Sequence, residues 1–254
     1  MHFNVLTIFP HIIEPYIHES IIQKALANGI VSINLLDLRD WTVDKHRTTD
    51  DTPFGGGGGM VMKPEPIFSA YKDLEIKEKD SPFIFLTPQG NPLSHSLAKS
   101  LSGEKTISIL CGRYEGVDQR VRNHLITHEI SIGDYVLSGG ELPALVLIES
   151  ITRLLPGALG APNGAAQDSF ANHLLDYPQY TRPAVFEGWE VPEILTSGNH
   201  AAIARWRRKQ SLLRTIRTRR DLIDKIELNN LDRTLIRELI DEGQIPSLPI
   251  LKKS

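Results

Sequence analysis

The sequence has one cysteine in 254 residues. Cys111 therefore has no partner for an internal disulfide, and without a Cys-x-x-Cys pair there is no thiolate zinc site; the thiol reads as a small apolar side chain at a strand end. Long hydrophobic runs are also missing. The longest, Leu142 to Ile148, falls far short of the roughly 20 residues that cross a bilayer. Met1-His2-Phe3-Asn4 lacks the basic start and apolar stretch of a secretory signal. These absences predict a cytoplasmic protein with no membrane partner. Several catalytic signatures are absent too: Gly-x-Gly-x-x-Gly after the first strand, Gly-Lys-Ser/Thr, His-Glu-x-x-His and Gly-x-Ser-x-Gly. Dinucleotide-binding, P-loop, zincin and ordinary hydrolase readings lose their support. His124 and His128 stand four apart but lack a third ligand, so they read as a helix end and a strand start, and no metal site is legible.

The net charge of −3 conceals a lopsided distribution. Between residues 205 and 225 lie Arg205, Arg207, Arg208, Lys209, Arg214, Arg217, Arg219, Arg220 and Lys225 against Asp221 and Asp224, a net of +7. The remainder is acidic by ten charges. The asymmetry suggests a surface for phosphates, while a merely solvated charged face is the other reading. These residues share no single helical stripe, which points to a basic helical region and not to one groove-reading helix.

β-rich runs at Phe3 to Ile8, Val31 to Leu36, Phe83 to Leu86, Thr106 to Leu110 and Glu129 to Ile132 alternate with helical patterns. The helical patterns cover Pro15 to Ala27, Pro66 to Leu74, Ser94 to Leu101, Val117 to Leu125 and Glu141 to Leu155. This rhythm predicts an α/β domain with a largely parallel sheet. The small, breaker-rich stretch from Pro156 to Ala166 reads as a flexible connection. From Ser197 onward, helical spacing predicts a small helical domain. The expected division is residues 1–159, a linker over 160–169, and 170–254.

Three turns each follow a candidate strand: Thr87-Pro88-Gln89-Gly90, Cys111-Gly112-Arg113-Tyr114-Glu115-Gly116, and Gly133-Asp134-Tyr135-Val136-Leu137-Ser138-Gly139-Gly140. In a parallel sheet the carboxyl ends of the strands share one edge, where glycine loops bring backbone groups close to a ligand. One such turn would be ordinary punctuation. Three, with Tyr114 and Tyr135 available to cover a ring, favour a small-molecule pocket. Arg113 is the only basic residue among them, so a neutral or zwitterionic ligand fits better than a polyphosphate.

These turns, together with Gly140-Glu141-Leu142-Pro143, Gln167-Asp168-Ser169-Phe170, Tyr180-Thr181-Arg182-Pro183 and Ser197-Gly198-Asn199-His200, resemble the bacterial tRNA (guanine-N1)-methyltransferase family TrmD, of the SPOUT superfamily. The resemblance extends from Leu6-Thr7-Ile8-Phe9-Pro10 to Lys209-Gln210. It implies methyl transfer from S-adenosylmethionine to N1 of the guanine 3′ of the anticodon. A deep trefoil knot formed by the three turns is implied in the first domain, and a homodimer whose active site lies between subunits. At the matching positions Pro88, Gln89, Gly90, Gly112, Tyr114, Glu115, Gly116, Ile132, Gly133, Asp134, Tyr135, Val136, Leu137, Gly139, Gly140 and Pro143 would line the cofactor pocket. Asp168 would be the general base and Arg153 would stabilise charge on O6, with Mg²⁺ as a further candidate cofactor. From the residues alone, Asp168 reads as a helix N-cap and Arg153 as a helix-end arginine.

The resemblance gives the basic region a use, since Arg205, Arg207, Arg208, Lys209, Arg214, Arg217 and Arg220 would meet tRNA phosphates. Residues 160–168 are expected to be mobile until tRNA binds. One departure from the family lies at Pro53-Phe54-Gly55-Gly56-Gly57-Gly58-Gly59-Met60, where Gly58 replaces a proline and Phe54 a tyrosine; this loop is expected to be more mobile. Three readings compete: an enzyme of another class using the same glycine edge for a nucleotide or small metabolite, a SPOUT methyltransferase for another RNA nucleotide, and a non-catalytic RNA-binding protein on the same scaffold.

Overall fold

A computed structural model describes residues 1–76, 80–160, 164–165 and 168–247. The chain divides into two compact units, residues 1–162 and 163–254. The first unit opens with β1 (His2–Thr7), α1 (Pro10–Ile17), α2 (Ser20–Ala27), β2 (Ser32–Asp37), β3 (Asp50–Asp51), β4 (Val61–Met62) and α3 (Pro64–Asp73). It continues with β5 (Phe83–Pro92), α4 (His95–Leu101), β6 (Thr106–Cys111), α5 (Gln119–His124), β7 (His128–Ser131) and α6 (Glu141–Thr152). The protein is α/β, with a parallel sheet ordered β2-β1-β6-β5-β7.

Successive strand residues point to opposite faces, so an all-parallel sheet needs cover on both. Phe3 and Val5 of β1, Ile84 and Leu86 of β5, and Ile107, Ile109 and Cys111 of β6 pack with Ile13, Ala98, Leu147 and Ile148. On the other face Leu6, Phe83, Phe85 and Leu110 pack with Ile67, Ala70 and Val121. Each fully buried aliphatic or phenyl side chain contributes roughly 1.5–3 kcal/mol.

Four of the five central strands lie within one residue of their expected positions, whereas β5 starts at Phe83 as expected but runs past Leu86 to Pro92. The helix expected over Pro15 to Ala27 is instead two helices. Pro10 occupies the first turn of α1, where a missing N–H costs nothing, so the helix starts there. Pro15 lies inside α1 and removes a hydrogen bond. After Ile17 a left-handed backbone at Ser20 (φ 53°) redirects the chain into α2. The last helix of the unit stops at Thr152 rather than Leu155, because Leu154 and Leu155 close i→i−3 turns onto Ile151 and Thr152. The β3–β4 ladder, which the apolar pattern did not predict, brackets the five-glycine loop. Gly55, Gly56, Gly57 and Gly59 all have positive φ there, and Phe54 is fully exposed.

In the second unit, β8 (Val185–Phe186) and β9 (Trp189–Glu190) form a two-residue ladder. Its turn, Glu187-Gly188, is left-handed at both residues, as a tight hairpin requires. Then follow α7 (His200–Thr218), α8 (Arg220–Ile223) and α9 (Asn230–Asp241). Leu212, Leu213 and Ile216 of α7 pack with Leu235, Ile236 and Leu239 of α9 around a separate core. Asn199 caps α7 by accepting from the Ala202 N–H at 3.1 Å. Asn229 and Asp232 form a reciprocal capping box on α9. Of the expected linker, residues 161–163, 166 and 167 lie outside the described residues.

Candidate active site

The first of the three turns is an excursion within β5. Leu86 and Asn91 both face Ile130 of β7, so Thr87 to Gly90 are extruded while the strand resumes through Pro92. Gly90 permits this: a Cβ there would lie 2.5 Å from the carbonyl carbon of Glu129 and the amide nitrogen of Ile130. The third turn returns to the second. The Gly140 N–H donates to the Gly112 carbonyl at 2.9 Å, and a Cβ on Gly140 would lie 2.7 Å from Cys111 Cα. Gly112 similarly clears the Phe85 ring, which a Cβ would approach to 2.8 Å.

Between the first and third turns lies a small cleft. Pro88, Ile132, Gly133, Tyr135, Leu137, Gly139 and Pro143 line it, with Leu86, Thr87, Ile130 and Ser131. The Tyr135 hydroxyl donates to the Ile132 carbonyl at 3.2 Å. Gln89 accepts from Arg122 at 2.6 Å, and Arg122 also grips Glu129 with two bonds at 2.6 and 2.8 Å. That hydrogen bonding holds the Glu129 carboxyl below its usual range. Tyr114, Glu115 and Gly116 do not line this cleft; they pack along β4, with the Glu115 N–H on the Met60 carbonyl at 3.0 Å. Asp134 and Val136 stand exposed on the third turn.

One buried ion pair ties these pieces together. Glu141, 1% exposed, accepts from the Thr7 hydroxyl at 2.6 Å and pairs with Arg113 at 2.8 Å. The Arg113 guanidinium lies 4.6 Å from the Phe9 ring centroid. Its residue bridges Gly139, where a Cβ would approach the guanidinium carbon to 2.6 Å. Cys111 lies buried beside this pair, and burial, then the Glu141 charge, push its thiol well above the usual range. Arg153 caps the end of α6, its N–H on the Glu149 carbonyl at 3.1 Å.

Asp168 belongs to the second unit. It lines a cleft of about 730 Å³ with Asn172, Asp176, Tyr177, Arg207, Arg208 and Ser211. It is no helix N-cap. Its carbonyl accepts from the Ala171 N–H at 3.2 Å, and the segment is laced onto α7 by the Leu175 N–H, which donates to Thr215 Oγ1 at 2.9 Å.

A sequence model of the family described as tRNA (Guanine-1)-methyltransferase TrmD matches residues 1–225. A tRNA (guanine-N(1)-)-methyltransferase of Moorella thermoacetica is 52% identical over 241 residues, covering 94% of this chain and 96% of its own. Proteins of the same name from Dehalococcoides mccartyi and Dictyoglomus turgidum are each 49% identical, covering 95% of this chain and 98% of theirs. The chain belongs to the TrmD family.

In this TrmD family member much of the basic region is engaged inside its own unit. Arg208 grips the buried Asp232 with bonds of 2.7 and 2.9 Å. Lys209 reaches Glu242 at 2.6 Å and Glu238 at 3.3 Å, and Arg205 also pairs with Glu238. Arg214 donates to the Asp176 carbonyl at 3.2 Å and Arg217 to the Gln244 carbonyl at 3.0 Å. Arg207 lies 4.8 Å over the Tyr177 ring, and Arg220 is exposed at the start of α8. Sequence reading missed Glu141, which also accepts from Thr7, as the partner of Arg113. Glu141 opens the buried helix α6, and the apolar residues that follow it give no sign of the pairing.

Proposed function

We propose that the protein methylates N1 of the guanine immediately 3′ of the anticodon in tRNA, with S-adenosylmethionine as methyl donor. The observation that carries this reading is about half identity, along nearly the whole of both chains, to proteins named tRNA (guanine-N(1)-)-methyltransferase. The residues present fit the donor: an apolar cleft walled by turns from which Gly90, Gly139 and Gly140 exclude side chains. When bound, the donor supplies an electrophilic methyl on a sulfonium, so an N1–carbon bond forms as the carbon–sulfur bond breaks. Pro88, Ile132, Gly133, Tyr135, Leu137, Gly139 and Pro143 enclose it in this reading. Gln89, Gly90, Gly112, Tyr114, Glu115, Gly116, Asp134, Val136 and Gly140 complete or brace the pocket. The three turns would form the SPOUT trefoil knot, a reading supported by the close packing of the third turn on the second.

Guanine N1 carries a proton at neutral pH, so a base must remove it as N1 attacks. The Asp168 carboxylate takes that proton, and the Arg153 guanidinium stabilises the negative charge that develops on O6. Among the described residues no cluster of three or more His, Cys, Asp or Glu side chains could hold a metal such as Mg²⁺. No described helix is long and apolar enough to cross a membrane, and the proposed location is the cytoplasm.

The proposed assembly is a homodimer with active sites between subunits. It is supported by an apolar face on two packed helices: Ile12 and Tyr16 of α1, one turn apart, and Leu142 (55% exposed) and Val146 of α6, likewise. A helix apolar on nearly every side, as α6 is, needs cover on every side. Leu142→Glu with Val146→Glu is expected to convert the dimer to a monomer in sedimentation experiments and to abolish methylation; an unchanged dimer overturns this interface.

Residues 170–254 are the proposed tRNA-binding part, reached through a linker over 160–169. Arg217→Ala with Arg220→Ala is expected to weaken tRNA binding most at low salt, flattening the slope of log affinity against log salt by about 0.7–0.9 per lost phosphate contact. Arg208→Ala acts differently, lowering the thermal stability of the second unit because Asp232 would stay buried without its partner. The decisive experiment supplies labelled S-adenosylmethionine with tRNAs bearing guanine or adenine 3′ of the anticodon. Label entering guanine alone, as 1-methylguanosine, supports the reading. Label in both moves it to another nucleotide, and label in neither, despite binding, to a non-catalytic protein.

A further inference from the structure

The second unit contains a larger groove, of about 1090 Å³, beside the Asp168 cleft. One wall is the base of the β8–β9 ladder, where Ala184 and Val191 are joined by the Val191 N–H donating to the Ala184 carbonyl at 2.9 Å. The opposite wall is α7, presenting Ile203 and Arg207. Tyr180 lines it half-exposed, its ring 6.5 Å from that of Trp206 and tilted by 52°. Arg182 is exposed along the same groove.

We propose that this groove binds one unpaired nucleotide of the RNA substrate, adjacent to the target guanine, with its base on Tyr180 and its phosphate toward Arg182 and Arg207. The inference rests on the tRNA methylation reading above. Single-stranded RNA sites combine aromatic faces for bases with cations for the backbone, and this groove holds both. An acyl chain or apolar peptide would use the walls and leave two guanidiniums without counter-charge. A free anion would use the guanidiniums and leave the aromatic faces idle. Continuity supplies the second argument: Tyr177 and Arg207 line both this groove and the Asp168 cleft, so a strand with its target base at Asp168 has this groove as the next place along its path. The Arg207–Tyr177 stack orients the guanidinium at the junction of the two.

The test uses the full-length protein and an anticodon stem-loop RNA carrying 4-thiouridine at each unpaired loop position in turn. Irradiation is expected to cross-link one position flanking the target guanine to the peptide spanning residues 177–184. Tyr180→Ala is expected to raise the KM for RNA about ten-fold, with kcat and S-adenosylmethionine affinity within about two-fold, as loss of one base stack implies. Tyr180→Phe, which keeps the ring, is expected to recover most of that loss. No cross-link to residues 177–184 from any loop position overturns the proposal, as does an unchanged KM in a folded Tyr180→Ala protein. Should that variant not fold, the wild-type cross-link decides. If the wild type cross-links there yet fails to methylate guanine-bearing tRNA, the activity reading falls and the nucleotide subsite stands.

Discussion

Asp168→Ala is expected to lower single-turnover methylation of guanine-bearing tRNA by about 10²–10⁴-fold, the span over which a positioned base contributes. S-adenosylmethionine affinity, measured by calorimetry, should remain within two-fold. The separation follows from where the groups sit. The cleft proposed for the donor is lined entirely by residues of the first unit, Leu86 through Pro143, whereas Asp168 belongs to the second. Asp168→Asn tests the same role with less change of shape, since an amide keeps the size of the carboxylate and cannot accept the N1 proton. A methylation rate within two-fold of the wild type in either variant would remove Asp168 as the base.

Glu141→Ala should cost about 3–5 kcal/mol of stability in urea denaturation, because truncating one partner strands the other charge in a largely buried setting. Arg113 would lose its carboxylate at 2.8 Å with only 16% of its own side chain exposed, and Thr7 would lose its acceptor. The damage should reach the ligand. The Arg113 guanidinium also donates to the Ser138 carbonyl at 3.4 Å, so its release loosens the third turn, and donor affinity should fall by at least ten-fold. Glu141→Gln, which keeps an acceptor for Thr7, should be milder on both counts. A loss below 1 kcal/mol would mean that this pair does not brace the turns.

The inner strands β1, β5 and β6 were legible because each buries side chains on both faces, which leaves short continuous apolar runs such as Phe83 to Leu86 bounded by turn residues. The glycine turns were legible for a related reason. Gly90, Gly112 and Gly140 sit where another chain segment passes within a Cβ radius, and no other residue type allows that approach. Periodicity fails where pairing is too short to imprint it. β3, β4, β8 and β9 are two residues each, and the aromatic residues Phe186 and Trp189 are exposed rather than alternating against a core. The break between α1 and α2 was hidden because Ile13, Ile17, Ile21 and Ala25 recur every four residues across it.

Charge was the least legible property. A count of arginines and lysines cannot distinguish a cation facing solvent from one such as Arg208, whose carboxylate partner lies 24 residues away on a different helix. For the candidate site, the sequence showed which residues crowd the sheet edge. It could not show that Arg113 and Glu141 meet, since their contact depends on the third turn folding back onto the second. Nor could it show that Tyr114 to Gly116 pack along β4 rather than line the cleft, because that follows from β4 pairing with a segment whose own spacing carries no signal.

The excursion of Thr87 to Gly90 from β5 separates two kinds of evolutionary change. Because Leu86 and Asn91 pair with the same residue of β7, the register shifts across the turn and the four residues between them drop out of the ladder. Inserting or exchanging residues between Thr87 and Gln89 therefore reshapes the ligand wall without reversing the inward and outward faces of the sheet. A one-residue deletion between Phe83 and Leu86 would instead turn the apolar side chains of that strand to the wrong face. Variation can accumulate in the turn while the adjoining strand stays fixed, so the same sheet can be adapted to a different ligand without being redesigned.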